Sequence, residues 1–338
     1  MTRDIVLKID QLTKKYGDFT ALDRLSLTLE RGRILGFVGP NGAGKTTTIR
    51  ILVGQARPTS GSASIAGIDC VKDARQTKRL VGYMPDVFGS YDNMRVREYL
   101  DFFGAAFGVP RAIRGRRIDE VLDISGSAYM KDRFVESLSH GMKQRVAIAR
   151  TLLHDPEMLI LDEPANGLDP QARIELRTIL LRLAEMGKTL LVTSHILPEL
   201  SQICDCVAII THGRLQAFGS LPEIMRQLCQ KRIFEVQLIS KEKLDRSAQL
   251  IRELVGPEAE VTTSAAEAIV RFTTTQSEQE LSHMLTQLAK AELGVSQFRE
   301  LQTSLEDAFL TVIQREASAS EKPSRKRVPG VRSARRKE

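Results

Sequence analysis

The chain has 338 residues and a formal net charge of +7, with 42% hydrophobic and 27% charged residues. This composition can build a packed core and excludes a wholly disordered protein, while the length favours a core of roughly 200 residues plus a smaller domain. The longest apolar runs fall far short of the roughly 20 residues that a membrane-spanning helix needs. The N-terminus has charged residues where a signal peptide has its apolar segment, so we expect a cytoplasmic protein.

The first chemical motif of the chain is a glycine-rich loop between an apolar run and a predicted helix. The run ends at Val38, the loop reads Gly39-Pro-Asn-Gly-Ala-Gly-Lys-Thr46, and a helical pattern continues over residues 47–52. Backbone N–H groups wrap phosphates closely only where Cβ atoms do not obstruct them, which explains the glycines. The helix adds its positive N-terminal end. This order predicts a P-loop that binds the phosphates of a nucleotide.

Two side chains at the end of this loop are predicted to contact the nucleotide directly. Lys45 is expected to reach the β- and γ-phosphates, and the hydroxyl of Thr46 to hold Mg²⁺. The alternative, a glycine-rich turn without a ligand, is disfavoured by the preceding strand and the following helix. The other residues assigned to the phosphate site are Gly39, Pro40, Asn41, Gly42, Ala43, Gly44 and Thr47.

A second chemical signal is the segment Met158-Leu-Ile-Leu-Asp162-Glu163, a buried-strand pattern that ends in two carboxylates. A carboxylate at the C-terminal edge of a parallel strand lies where such sheets bind ligands, so Asp162 is expected to complete a magnesium shell. Glu163 would orient or deprotonate the attacking water. Alone, such a pair is more often a solvated strand end, but beside a P-loop the catalytic interpretation is favoured.

These motifs, with others in the same order, resemble the ABC ATPase family over roughly residues 5–225. Leu138-Ser139-His140-Gly141-Met142-Lys143-Gln144 resembles the LSGGQ signature of that family, and Asn166-Gly-Leu-Asp169 resembles its D-loop. The resemblance implies that Ser139 and Gly141 bind the γ-phosphate of an ATP held by a second subunit, and that the D-loop, with Asp169, couples the two sites. Standing alone, the signature segment would be an N-capped helix without a ligand.

Other positions gain a role through the same resemblance. Tyr16 is similar to the aromatic residue that stacks on adenine, the alternative being a half-buried tyrosine at a strand end. His195 is similar to the switch histidine that contacts the γ-phosphate. Asp86 stands where the family usually has a Gln that touches Mg²⁺ and the membrane partner; a carboxylate can coordinate Mg²⁺ but lacks the amide hydrogen bonds. His140 and Met142 replace the usual Gly and Gln of the signature.

The resemblance also implies a fold and a mechanism. We expect an α/β, RecA-like P-loop NTPase core over residues 1–230, with an N-terminal antiparallel β subdomain and a helical subdomain at about residues 86–150. Two such subunits would close on two ATP molecules with Mg²⁺, and Lys45, Glu163 and His195 would be the catalytic residues. The second subunit would be a copy of this chain or a related ATPase.

The partner implied by the resemblance is a separate transmembrane permease, which would hold the protein on the inner face of the cytoplasmic membrane. ATP hydrolysis would then drive transport. The segment at residues 303–310 resembles the ending of bacterial ABC exporter ATPases, which favours export over import.

Past residue 230 the pattern changes and predicts a small α+β domain over residues 231–316. The order β-α-β-β-α-β suggests a ferredoxin-like unit. It contains no catalytic constellation, so it would regulate or support the dimer, or only stabilise the chain. The predicted elements are a strand at 233–238, a helix at 243–255, strands near 260 and 269, a helix at 278–291 and a strand at 295–298.

Residues 317–338 are predicted to be a disordered basic tail. The last 18 residues contain eight Lys or Arg against two Glu, so they carry +6 and the other 320 residues together only +1. Because the folded part has no large positive excess, we expect no specific nucleic-acid partner. The tail is interpreted as a solubilising segment, with attraction to anionic lipid or RNA as the alternative.

Two other classes of protein share the phosphate chemistry. A soluble ABC-family ATPase could act on ribosomes or nucleic acid, but such proteins carry two cassettes, long coiled coils or zinc modules, and this sequence has one P-loop and neither of the other features. A metabolic kinase would leave the signature and the D-loop unexplained.

Overall fold

The computed structural model describes residues 4–87, 89, 93–194, 200, 202–228, 232–256 and 259–301. Within these ranges no helix is both long and apolar enough to span a membrane. The strands are β1 Ile5–Tyr16, β2 Phe19–Glu30, β3 Ile34–Val38, β4 Ser60–Ile65, β5 Ile68–Asp69, β6 Val81–Met84, β7 Met158–Leu161, β8 Thr189–Ser194, β9 Cys206–Thr211, β10 Arg214–Gly219, β11 Arg232–Leu238, β12 Val261–Ser264, β13 Ile269–Thr274 and β14 Val295–Leu301. The helices are α1 Lys45–Leu52, α2 Ala74–Leu80, α3 Val96–Ala106, α4 Arg111–Ile124, α5 His140–Leu152, α6 Pro170–Glu185, α7 Leu221–Leu228, α8 Leu244–Val255 and α9 Glu278–Lys290.

The largest sheet has the strand order β10-β9-β3-β8-β7-β6. Its strands are parallel except β10, which runs antiparallel to β9. Every residue of β3, β7 and β8 is buried, as expected of apolar strands that are covered on both faces. Because β8 lies between β3 and β7, the segments that follow these three strands meet at one edge of the sheet.

Helices and the first antiparallel sheet cover the two faces of this central sheet. On one face, the sheet β2-β1-β4-β5 and α1 share a hydrophobic cluster with the central strands, as shown by Leu22, Phe37 and Ile49. On the other face, α3 to α6 share a second cluster with β7. The N-terminal antiparallel sheet and the helical segment after β6 therefore occupy the places that the resemblance implied, and the predicted α/β fold class is confirmed.

The C-terminal part forms its own antiparallel sheet, in the order β12-β13-β11-β14. Its elements follow one another as β11, α8, β12, β13, α9 and β14, which is the predicted β-α-β-β-α-β order. A third cluster contains buried residues of this part, among them Val236, Ile251 and Leu288. The segment at residues 303–310, which resembles the ending of exporter ATPases, and the basic tail lie outside the described residues.

Candidate functional site

The glycine-rich loop joins β3 to α1 in a conformation that its glycines permit. Gly44 has a φ of 108°, a left-handed value that residues with a Cβ rarely adopt. A Cβ added to Gly39 would lie 2.3 Å from the carbonyl oxygen of Ile210. On the other side, the N–H of Gly213 donates to the carbonyl of Ala43 at 2.9 Å. The loop is therefore held closely against β9 and the turn that follows it.

Lys45, the first residue of α1, is buried within this loop. Its Nζ donates to the carbonyl of Gly39 at 2.6 Å and lies 3.7 Å from Oε1 of Glu163. A buried ammonium requires charged or hydrogen-bonding partners, and here they are loop carbonyls and one carboxylate. The helix N-terminus beside it adds a partial positive charge. This cradle fits the phosphate groups of a nucleotide.

One hydroxyl from the neighbouring strand contacts both predicted acidic residues, Asp162 through its carboxylate and Glu163 through its backbone. Thr193, near the end of β8, donates through Oγ1 to Oδ1 of Asp162 at 2.7 Å. The same Oγ1 accepts the backbone N–H of Glu163 at 2.8 Å. Glu163 itself has a φ of 50°, so its backbone is in the left-handed region and is held there by this contact. Burial raises the pKa of Asp162, and the nearby carboxylates of Glu163 and Asp86 raise it further.

One cleft of about 380 Å³ brings most of the predicted residues together. It combines an ammonium, three carboxylates and a glycine-rich backbone, which suits a polyphosphate accompanied by a divalent cation. Its lining residues are Phe19, Ala21, Pro40, Asn41, Gly42, Ala43, Gly44, Lys45, Thr46, Thr47, Asp86, Asp162 and Glu163.

Comparison with known proteins decides the family. The family model described as ABC transporter matches residues 22–166. The bacitracin transport ATP-binding protein BcrA of Bacillus licheniformis is 44% identical over 211 residues, which cover 62% of this chain and 68% of that protein. The Nod factor export ATP-binding protein I of Ralstonia nicotianae is 33% identical over 312 residues, which cover 92% of this chain and 94% of that protein. This chain is an ABC transporter ATP-binding protein.

Solved structures place this ATP-binding protein in the same family. A structure described as the ATP binding subunit of an ABC transporter is 31% identical and covers 66% of this chain and 92% of its own, with a TM-score of 0.60. The cbiO1 subunit of Clostridium perfringens is 28% identical and covers 67% and 95%, with a TM-score of 0.61. The protein binds nucleotide and is an ATPase, so these predictions from the sequence are confirmed.

The predicted signature and D-loop residues of the ATP-binding protein lie at two adjacent helix N-termini. Oγ of Ser139 accepts the N–H of Met142 at 3.4 Å at the start of α5, and Oδ1 of Asp169 accepts the N–H of Ala172 at 2.8 Å at the start of α6. A Cβ added to Gly141 would lie 3.1 Å from the Cβ of Ala172, so the two helix starts are in close contact. Ser139, Gly141 and Asp169 are not among the described residues that line the phosphate cleft.

The aromatic residue on the cleft differs from the one predicted. Tyr16 ends β1 and is 47% exposed, with the Lys14 Nζ 4.8 Å from its ring centroid, but it is not one of the cleft-lining residues. Phe19, which faces Tyr16 across the β1–β2 hairpin, lines the cleft and is 64% exposed. The sequence analysis did not identify Phe19. Its aromatic side chain, three residues after Tyr16 in the same hairpin, could have indicated it as a second candidate. The predicted switch histidine, His195, lies outside the described residues.

Thr193 contacts both acidic residues of the cleft, although the sequence analysis gave it no role, and its substitution gives a first prediction. Thr193→Val keeps the shape of the side chain but removes the bonds to Asp162 and to the backbone of Glu163. We expect kcat to fall by about tenfold, which corresponds to a loss of about 1.4 kcal/mol of transition-state stabilisation because Asp162 and Glu163 are less well positioned. Steady-state phosphate release measures this change.

Thr189→Val provides the matched control for Thr193→Val. Thr189 is equally buried at the opposite end of β8, where its Oγ1 accepts the N–H of Gly32 at 3.0 Å. We expect a similar loss of stability in both variants, about 1 kcal/mol, with a change in kcat only for Thr193→Val. Equal kcat values in the two variants would exclude a positioning role for Thr193.

Proposed function

We propose that this chain is the ATP-hydrolysing subunit of an exporter whose permease is a separate polypeptide. The observation that carries the proposal is the single cleft in which Lys45, Asp162 and Glu163 converge, with Lys45 Nζ only 3.7 Å from Glu163 Oε1. Support for export comes from the two relatives named above, which are called a bacitracin transport and a Nod factor export protein.

Within the cleft we assign one role to each side chain. Lys45 binds the β- and γ-phosphates, and Glu163 orients or deprotonates the attacking water. Thr46, Asp162 and Asp86 would hold Mg²⁺, which supplies charge neutralisation on the phosphates. Each of the three lines the cleft and offers an oxygen ligand, which Mg²⁺ prefers. His195 is proposed from the family resemblance to contact the γ-phosphate.

Most of the remaining predicted residues are assigned to contacts with a second ATPase subunit in the proposed dimer. Ser139, Gly141 and Asp169 lie together away from this chain's own cleft, at helix N-termini that favour an anion. This placement supports binding of ATP held by a second ATPase subunit, either a copy of this chain or a related one. Tyr16 is retained as the adenine-stacking candidate, and Phe19 is added to it.

The proposed division of the chain is an ATPase domain at residues 1–230, an α+β domain at 231–316 and a basic tail at 317–338. It is supported by the separate hydrophobic cluster of the C-terminal sheet and helices. Through the permease, the protein would lie on the inner face of the cytoplasmic membrane, without a specific nucleic-acid partner.

A pull-down from native membranes tests the transport proposal. The tagged chain is purified in mild detergent, once as wild type and once as Glu163→Gln with ATP, and its partners are identified by mass spectrometry. We expect a polytopic membrane protein in both samples and more of it with the variant, because trapped ATP stabilises the closed dimer. Recovery of ribosomes or nucleic acid alone, or of no partner, would leave the ATPase activity intact but remove the transport function.

A further inference from the structure

His140 forms a hydrogen bond that connects the signature segment to the D-loop of the same chain. It stands in the first turn of α5, and its Nε2 is 2.8 Å from the backbone carbonyl oxygen of Asn166. The backbone N–H of Asn166 in turn donates to the carbonyl of Glu163 at 3.0 Å. Both backbone groups of Asn166 are therefore engaged, one by the backbone of Glu163 and one by the first residue of α5, which directly follows Ser139.

The hydrogen-bond pattern around His140 fixes its tautomer. A carbonyl oxygen only accepts, so Nε2 of His140 carries the hydrogen. The amide nitrogen of Gln144, which is also a donor, lies 3.5 Å from the same Nε2, whereas Oε1 of Gln144 is buried without a partner. Exchanging the amide oxygen and nitrogen of Gln144 places an acceptor beside the Nε2–H of His140 and so removes the conflict between two donors. The Nε2–H of His140 then faces two acceptors, Asn166 O and Gln144 Oε1, which hold the ring in place.

The first turn of α5 lies close to the D-loop. A Cβ added to Gly167 would be in ordinary contact with His140, 3.4 Å from its Nε2. A Cβ on Gly141, the next residue of α5, would lie 3.1 Å from the Cβ of Ala172, which is a tight approach. The first turn of α5 therefore rests directly on the backbone that runs from Asn166 into α6.

We propose that His140 is a positioning residue that joins the site for the partner's ATP to the base of this chain's own site. The inference rests on the proposed function, in which Ser139 binds the partner's γ-phosphate and Glu163 acts on the ATP of its own chain. Glu163 has a left-handed backbone that carries strain unless its neighbours hold it. Its N–H is held by Thr193 and its carbonyl by Asn166, and His140 holds Asn166.

Two substitutions separate this role from a general structural one. His140→Leu removes the N–H donor, whereas His140→Gln places an amide N–H in a position similar to that of Nε2. We expect His140→Leu to lower kcat by about five- to tenfold with KM changed by less than about twofold, because the ring does not line the phosphate cleft. His140→Gln should stay within about twofold of the wild-type kcat.

His283→Leu is the matched control. His283 forms the same i, i+4 pair with a glutamine as His140 does, with 3.2 Å between its Nε2 and Nε2 of Gln287, but it lies on α9 of the C-terminal part. We expect its kcat to equal that of wild type. Should His140→Leu fail to fold, His140→Ala removes the imidazole with a residue that favours the helix and allows the same comparison.

Hydrogen exchange at the backbone amides of residues 164–169 gives a readout that does not depend on activity. Exchange should be faster in His140→Leu than in wild type and His140→Gln. A His140→Leu protein with wild-type kcat, or a His140→Gln protein as slow as His140→Leu, would overturn the inference. An inactive wild type would instead contradict the proposed function, so the two failures are distinguishable.

Discussion

Replacing Glu163 with Gln is expected to lower ATP turnover by about 10²- to 10⁴-fold without loss of ATP binding. The amide keeps the size of the side chain but cannot accept a proton from the attacking water. The substitution also removes the carboxylate that lies 3.7 Å from Nζ of Lys45. Since that carboxylate competes with phosphate for the ammonium, ATP affinity should rise rather than fall. Single-turnover hydrolysis and nucleotide titration measure the two effects separately.

The same Glu163→Gln variant should accumulate as an ATP-bound dimer, which sedimentation in the presence of ATP would detect. Glu157→Gln is its control, because Glu157 immediately precedes the other end of β7 and pairs with Arg31 at 2.9 Å. We expect Glu157→Gln to hydrolyse ATP at the wild-type rate. Equal turnover in wild type and Glu163→Gln would remove Glu163 from the role of base.

Replacing Gly39 with Ala is expected to abolish nucleotide binding and to destabilise the fold. The new Cβ would lie 2.3 Å from the carbonyl oxygen of Ile210 and 2.9 Å from the Cβ of Ala43, so the loop or β9 must move. Overpacking of this kind costs about 1–3 kcal/mol, and the shift also displaces the carbonyl that holds Lys45. Thermal unfolding and ATP titration should both report the change.

Gly32→Ala tests whether a loss of stability alone explains the loss of binding. Gly32 lies in the turn between β2 and β3 and has a φ of 72°, and a Cβ there would meet no atom within 4 Å. Only conformational strain is expected, about 1–2 kcal/mol, and the glycine-rich loop need not move away from β9. We expect Gly32→Ala to keep the ATP affinity of wild type. Two variants with the same affinity would show that the contact at Gly39 is not what shapes the loop.

The parts of the site that the sequence predicted are those encoded by contiguous residues. The glycine-rich loop is one segment with one backbone requirement, and the carboxylates at 162 and 163 end an apolar strand. In each of these motifs the sequence pattern and the chemical groups lie within the same few residues, so the motif can be recognised without the structure. The C-terminal order of strands and helices was also predicted, because alternation of apolar residues is a local signal.

The parts that the sequence did not predict depend on which elements become neighbours. The role of Thr193 requires β8 to pair with β7, a contact between segments about 30 residues apart. The bond from His140 to Asn166 spans 26 residues and depends on the packing of α5 against the D-loop. Phe19 reaches the cleft only because the first antiparallel sheet covers the face that carries α1. Such pairings follow from tertiary structure, and no local propensity encodes them.

The Lys45 ammonium lies between the Gly39 carbonyl and the Glu163 carboxylate, which surround it with oxygen atoms. A phosphate that binds this ammonium therefore replaces oxygen contacts that the protein already provides. The ammonium contributes to nucleotide affinity only the difference between these two sets of contacts. A small difference favours release of the products after hydrolysis.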